Sequence, residues 1–156
     1  MALQLVVDPK KCKACRSCEL ACSFGHNGEF NPRLSNVTVF HYEQQCVSVP
    51  IMCLQCDDAA CVGVCPTHAL KRNAEGVVLH DPTKCIVCKM CVAACPLGNI
   101  SYSPLKSKVF KCDLCGGDPM CVQFCPTGAI EMVDPTETSD KKRQAADKLV
   151  ALIEEA

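Results

Sequence analysis

Short apolar runs and strict alternation, rather than long helical stripes, mark most of this chain. "VTVFHYE" (37–43) alternates with period two, as a half-buried strand does. "LQLVV" (3–7) and "AIEMV" (129–133) lie near the two ends and read as further strands. "ALKRNAEGVVLH" (69–80) reads as a hairpin turning at Asn73–Gly76, and "ISYSPLKSKVF" (100–110) as another turning near Pro104–Ser107. Short helices are predicted over 16–23, 59–65, 89–95 and 119–125. The end differs in character. From about Thr138, "TSDKKRQAADKLVALIEEA" is charged and rich in Ala and Leu. Ser139 or Asp140 can cap a helix there, with Ala145, Leu149 and Ile153 on one face, joined by Ala146 and Val150. A helix from about 139 is expected, packed on its own domain or docked on a partner subunit. The predicted class is α+β.

Composition changes this picture. The chain has 156 residues and 17 cysteines. Its hydrophobic share of 49% counts cysteine; without it the share falls to about 38%. There is no Trp, and Phe and Tyr number 5 and 2. A conventional core would be thin for this length, so something other than side chains must staple the interior. "MALQLVVDPKKC" lacks a basic start, an apolar stretch and a small-residue cleavage site, so no secretory or twin-arginine signal is expected. No apolar run is long enough to span a membrane. The expected location is the cytoplasm, where thiols stay reduced, and metal ligation is favoured over disulfides.

Sixteen cysteines fall into four groups. Cys12, Cys15, Cys18 and Cys22 are spaced C-x2-C-x2-C-x3-C. Cys53, Cys56, Cys61 and Cys65 are spaced C-x2-C-x4-C-x3-C and precede Pro66. Cys85, Cys88, Cys91 and Cys95 repeat the first spacing and precede Pro96. Cys112, Cys115, Cys121 and Cys125 precede Pro126, with five residues in the middle gap. C-x2-C-x2-C-x3-C-P is the ligand run of a bacterial-type [4Fe–4S] cluster. Three cysteines on a turning loop wrap one cluster. The fourth points away toward a neighbouring cluster, and the proline breaks the turn. Soft thiolates suit such clusters. Zinc ribbons instead pair two knuckles across a longer spacer, and disulfides cannot bridge cysteines this close without strain. Cys46, in "YEQQCVSVP", has no C-x2-C companion and is expected to be a small buried hydrophobe. The chain also repeats itself. "DPKKC" (8–12) returns as "DPTKC" (81–85), and "CPTHAL", "CPLGNI" and "CPTGAI" echo one another.

With these motifs, residues 3–133 resemble the four-cluster ferredoxin-type electron-transfer subunits, the family of the iron–sulfur subunit of dimethyl sulfoxide reductase and of its relatives in formate dehydrogenases and hydrogenases. "CRSCELACSFGH" (15–26), "NPRLSNVTV" (31–39) and "CDLCGGDPMCVQFCPTGAIE" (112–131) are most similar to the small subunits of tungsten aldehyde ferredoxin oxidoreductases and of ATP-independent benzoyl-CoA reductases. The resemblance implies two nested bacterial-ferredoxin-like units in a 1–133 polyferredoxin. The central unit, about 47–111, comes from motifs two and three, the outer unit from motifs one and four, and 134–156 forms a C-terminal extension. Implied cluster one takes Cys12, Cys15, Cys18 and Cys125; cluster two takes Cys112, Cys115, Cys121 and Cys22. Cluster three takes Cys53, Cys56, Cys61 and Cys95; cluster four takes Cys85, Cys88, Cys91 and Cys65. The end strands 3–7 and 129–133 could then pair. One departure is visible: Ser23, not proline, follows Cys22, leaving that turn less constrained.

The function expected is electron relay. Four [4Fe–4S] clusters would connect a catalytic subunit, holding a tungsten or molybdenum pterin, with an external donor or acceptor. Further partners could be another redox subunit or a second copy of the chain. The alternative is a free-standing polyferredoxin or scaffold that binds redox partners transiently. No P-loop, dinucleotide fingerprint or nucleophile elbow is present, so no catalytic site is expected on this chain. The histidines, His26, His41, His68 and His80, are scattered, with surface or hydrogen-bonding roles expected. The formal charge of −1 becomes about −9 once four clusters and their thiolates are counted, which argues against nucleic-acid binding. Lys10, Lys11, Lys13 and Arg16 flank the first motif; Asp57 and Asp58 follow Cys56 in the second. Those charges predict a higher potential for the first cluster and a lower one for that of motif two.

Overall fold

The computed structural model describes residues 4–104 and 106–133. The expected C-terminal helix lies outside the described residues. Among the described residues, eight strands form four two-stranded antiparallel sheets. They are β1 (Gln4–Val7) with β8 (Ile130–Val133), β2 (Val37–Tyr42) with β3 (Val47–Met52), β4 (Leu70–Arg72) with β5 (Val78–His80), and β6 (Ile100–Ser103) with β7 (Lys108–Lys111). Four helices intervene: α1 (Ser17–Asn27), α2 (Ala60–Gly63), α3 (Met90–Ala94) and α4 (Met120–Gln123).

The end strands do pair, in the register Gln4↔Val133 to Val7↔Ile130. The internal repeat extends to the backbone. Asp8 N–H donates to Ala129 O at 2.8 Å, and Asp81 N–H donates to Ala69 O at 2.7 Å. Asp8 Oδ1 accepts from Lys10 N–H and Asp81 Oδ1 from Thr83 N–H, each at 3.0 Å. Strand β1 therefore stands to β8 as β5 stands to β4. Both expected hairpins form. Gly76 N–H bonds Asn73 O at 3.1 Å, and Ser107 N–H bonds Pro104 O at 3.3 Å.

Three expectations need correction. The first helix does not stop at 23. With serine rather than proline after Cys22, nothing interrupts the ladder, and α1 runs on to Asn27 before Gly28 caps it at φ 68°. The other helices are shorter than expected, because each starts one residue before its third cysteine and ends before the fourth. Cys46 is exposed, not buried. It sits on the turn between β2 and β3 at φ 52°, its N–H bonded to Glu43 O at 3.2 Å. The polar run Glu43–Gln45 before it is the turn signal, and strand β3 behind it was not expected.

Two apolar clusters form the interior. One gathers Leu5, Val37, Val39, Met52, Leu114 and Ile130 with Cys18, Cys22, Cys53, Cys112 and Cys121. The other gathers Leu70, Val78, Ile100 and Val109 with Cys91. Each is small, and thiols are a large part of both. Helix α1 is tied to β2 by buried Glu19, whose Oε1 accepts from Val39 N–H at 2.6 Å. Ile130 is 1% exposed and closes β8 onto the first cluster. Ile130→Ala is expected to cost about 2–5 kcal/mol, lowering the temperature at which the anaerobic protein loses its visible absorbance. A change below about 1 kcal/mol would contradict this packing.

Candidate metal centre

Left-handed backbone bends the cysteine loops. In motif one, Ala14 (φ 55°) and Arg16 (φ 57°) adopt it; in motif three, Val87 (φ 56°) and Lys89 (φ 63°) adopt it at the same places. The second of each pair caps the following helix, α1 or α3. Each loop thus turns back at both two-residue gaps, which carries the third cysteine, Cys18 or Cys91, inward to a buried position. A β-branched Val87 in this region is costly and persists only where the surroundings demand the bend. In motifs two and four the same bend falls on Gln55 (φ 50°) and on Leu114 and Cys115 (φ 58° and 51°).

The fourth cysteines end the short helices. Three residues past each, the chain turns through the left-handed region again, at His68, Gly98 and Gly128. That turn aims backbone N–H groups at the sulfur. Asn99 N–H meets Cys95 Sγ at 3.3 Å and Ala129 N–H meets Cys125 Sγ at 3.2 Å. Burial pushes the Cys65 and Cys125 thiols up, but surrounding N–H groups and the Thr67 and Thr127 hydroxyls outweigh it, so both are lowered overall. Cys22, lacking the proline turn, instead receives Asn36 N–H at 3.3 Å.

The inner thiols behave oppositely. Burial pushes Cys18 and Cys121 up to about 12, and raises Cys61, Cys91, Cys112 and Cys115. Burial thus favours the protonated form of these sulfurs, and a metal would displace those protons on binding.

The grouping of the thiols crosses the motifs. One cavity is lined by Cys53, Cys56 and Cys61 of motif two together with Cys95 of motif three. A second is lined by Cys85, Cys88 and Cys91 of motif three together with Cys65 of motif two. Cys18 feels, after its burial, the charge of Glu19 and then those of Cys125 and Cys15, and Cys121 feels those of Cys22, Cys115 and Cys18. Cys12 and Cys125 pack on the first core, alongside Cys18, Cys22, Cys112 and Cys121. Cys15, Cys56 and Cys88 are exposed at the loop tips. Cys46 stands on its exposed turn, apart from these loops. The sulfur-only donor sets fit iron–sulfur clusters, which soft thiolates select.

Two side chains beside the sulfurs were not singled out from the sequence. His26 Nε2 lies 3.5 Å from Cys115 Sγ and 3.5 Å from Asp113 Oδ1. It follows Cys22 by four residues on α1, so the two share a face; that spacing was the available signal. Lys111 Nζ lies 3.4 Å from Cys53 Sγ. Of the other histidines, His41 Nδ1 meets Ser48 Oγ at 2.8 Å, His68 occupies a strained turn position, and His80 lines the second cavity.

Loops of this geometry, holding thiols in crossed sets of four, define a ferredoxin-type iron–sulfur protein. Comparison with known proteins agrees. The 4Fe-4S dicluster domain family matches residues 44–135, and the chain belongs to it; the first motif lies outside the matched stretch. The polyferredoxin-like subunit of aliphatic sulfonate oxidoreductase from Pyrococcus furiosus is 43% identical, over 78% of this chain and 70% of that one. Formate hydrogenlyase subunit 2 of Escherichia coli is 31% identical, over 90% of this chain and 87% of that one. Among solved structures, the active site complex BamBC of benzoyl coenzyme A reductase aligns with a TM-score of 0.52 and 26% identity, covering 98% of this chain and 97% of the matched one. The protein is an iron–sulfur electron-transfer protein. No helix among the described residues is long and apolar enough to cross a membrane.

With Cys115 as a metal-bound thiolate, which can only accept a hydrogen bond, His26 Nε2 would be the donor. Hydrogen bonds to sulfur raise cluster potentials. His26→Phe is expected to lower the potential of one cluster and leave the others in place, as read by redox titration followed by EPR. An unchanged titration would rule out that contact.

Proposed function

We propose that the sixteen motif cysteines hold four [4Fe–4S] clusters in the crossed sets named above, arranged as a central and an outer ferredoxin-like unit. The observation that carries this is the pair of cavities, each lined by three cysteines of one motif and the fourth of another. The pairing of β1 with β8 supports the outer unit, because it brings the end of motif four back beside the start of motif one. When bound, such clusters take up and release one electron each with little rearrangement. The chain's own part is to hold them close, to shield the inner sulfurs with Ile130, Leu114 and Val109, and to leave Cys15, Cys56 and Cys88 near solvent.

The chain then serves as a non-catalytic, cytoplasmic relay between an external donor or acceptor and a catalytic subunit. The names of its relatives, subunits of oxidoreductases, support such a partner. The likeness to the BamBC complex, together with the resemblance to tungsten aldehyde ferredoxin oxidoreductase small subunits, supports a pterin-bound tungsten or molybdenum centre on that partner.

The crossed sets make a distinctive prediction. Cys53→Ser and Cys95→Ser, in different motifs, should alter the EPR signal of the same cluster. Cys65→Ser and Cys88→Ser should together alter a different one. Signals that instead follow motif membership, with Cys53 grouped with Cys65, would contradict the arrangement. Anaerobic purification should bring down a large pterin-bearing subunit in equal amount. A lone soluble monomer would favour the free-standing polyferredoxin.

A further inference from the structure

Lys111 is 7% exposed, and its ammonium is enclosed by four acceptors. They are Val78 O at 2.9 Å, Cys112 O at 2.9 Å, Gln55 Oε1 at 3.2 Å and Cys53 Sγ at 3.4 Å. None of these partners is a carboxylate. Gln55, itself 3% exposed, is fixed in place: its Nε2–H donates to Cys112 O at 2.8 Å, and its Oε1 accepts from Val78 N–H at 3.0 Å. Every group around the lysine offers a lone pair; the ammonium brings three N–H donors to these four acceptors, so one donor is shared, and Cys112 O also accepts from Gln55 Nε2–H. A buried cation without a carboxylate partner is costly. Here its nearest source of negative charge is the sulfur of Cys53.

The place of this cation is specific. Cys53 packs in the first core yet lines the cavity of Cys56, Cys61 and Cys95. Cys112 belongs to motif four, and its thiol is raised by burial, with Cys53 among the nearby charges that add to the rise. Lys111 therefore stands where the central and outer units meet. The internal duplication supplies a control. Advancing by 59 residues carries Cys53 to Cys112, Cys56 to Cys115, Gln55 to Leu114 and Met52 to Lys111. The polar pair Gln55 and Lys111 thus has an apolar counterpart in Leu114 and Met52, each 2% exposed. The fold accepts an apolar pair at this position, so the lysine is not required by the fold of the repeat itself.

We propose that Lys111 is a potential-setting residue, which makes the junction between the two units the favoured resting place for an electron moving along the chain. The proposal rests on the ligand sets proposed above. A buried positive charge favours the more negative, reduced state of whatever lies beside it, and in a low-dielectric setting it acts more strongly than the same charge in water. Asp57 and Asp58 are exposed and screened by solvent and salt. Lys111 therefore outweighs them, and the cluster of Cys53 is raised rather than lowered. The cluster of Cys112 is raised to a smaller degree, since Lys111 touches that residue only through its backbone oxygen.

The test is a redox titration followed by EPR on the intact, anaerobically loaded protein, with iron counted per chain. The variants are Lys111→Met, the double variant Lys111→Met with Gln55→Leu, and Gln55→Glu. Cys53→Ser and Cys112→Ser identify the resonances of the two sets. In each non-cysteine variant the reduction equilibrium of the Cys53 set should fall at least tenfold, about 59 mV for a one-electron couple. The Cys112 set should shift less, and the other two should hold. Full iron with unmoved potentials overturns the proposal, as does an equal shift of all four clusters. If Lys111→Met alone loses iron, the double variant and Gln55→Glu, which keeps the lysine and adds a negative charge against it, decide by the same readout. If Cys53→Ser and Cys112→Ser alter one and the same signal, the ligand sets have failed, and the proposal with them.

Discussion

The rest of the structure depends on one requirement: four sulfurs must converge on a small volume from loops too short to curl by helical geometry alone. A right-handed turn would carry successive cysteines around a cylinder and apart. The chain instead inserts left-handed residues between them, and it does so at Ala14 and Arg16, and at Val87 and Lys89, in the same places in two motifs. That backbone is unfavourable for residues with a side chain. It is held by the strands on either side and, in the loaded protein, by the bonds from sulfur to metal. Helices α2, α3 and α4 are about one turn long for the same reason; their task is to aim a thiol, not to bury a face.

Sulfur accordingly takes the place that hydrocarbon has in most domains. The two apolar clusters are too small to hold a chain of this length, and several of their members are cysteines. Thiols raised by burial and left without metal are poor substitutes for a packed core, so folding and metal loading are linked. The duplication spreads this design twice along the chain, and its imperfections carry the individuality. Ser23 in place of a proline lets α1 run on and brings His26 to Cys115. His68 stands where the other copies have Gly98 and Gly128. Met52 stands where the other three motifs have Lys11, Lys84 and Lys111.

Much of this was legible in the sequence. Cysteine spacing pointed to the loops, and strand alternation with turn residues to the hairpins, because those features rest on local chemistry; the joining of the two ends was implied only by the resemblance to four-cluster subunits. Strand β3 and the exposure of Cys46 were missed: Pro50 interrupts the apolar run Val47–Met52, and a proline inside a run argues against a strand. Lys111 was beyond reach for a different reason. Lys11, Lys84 and Lys111 each precede the first cysteine of a motif, yet Lys11 pairs with Glu131 at 3.0 Å and Lys84 with Asp81 at 3.3 Å, both at the surface. Only the third is enclosed, and it is enclosed by Gln55 and Val78, which are distant in sequence.

The central claim, that the interior is built around four cubane clusters, is tested most directly by counting. Iron and acid-labile sulfide should be measured per chain in protein purified under strict exclusion of oxygen. The account predicts about sixteen of each. About eight of each would mean that two of the four thiol sets are not cluster sites, and zinc in place of iron would contradict the account altogether.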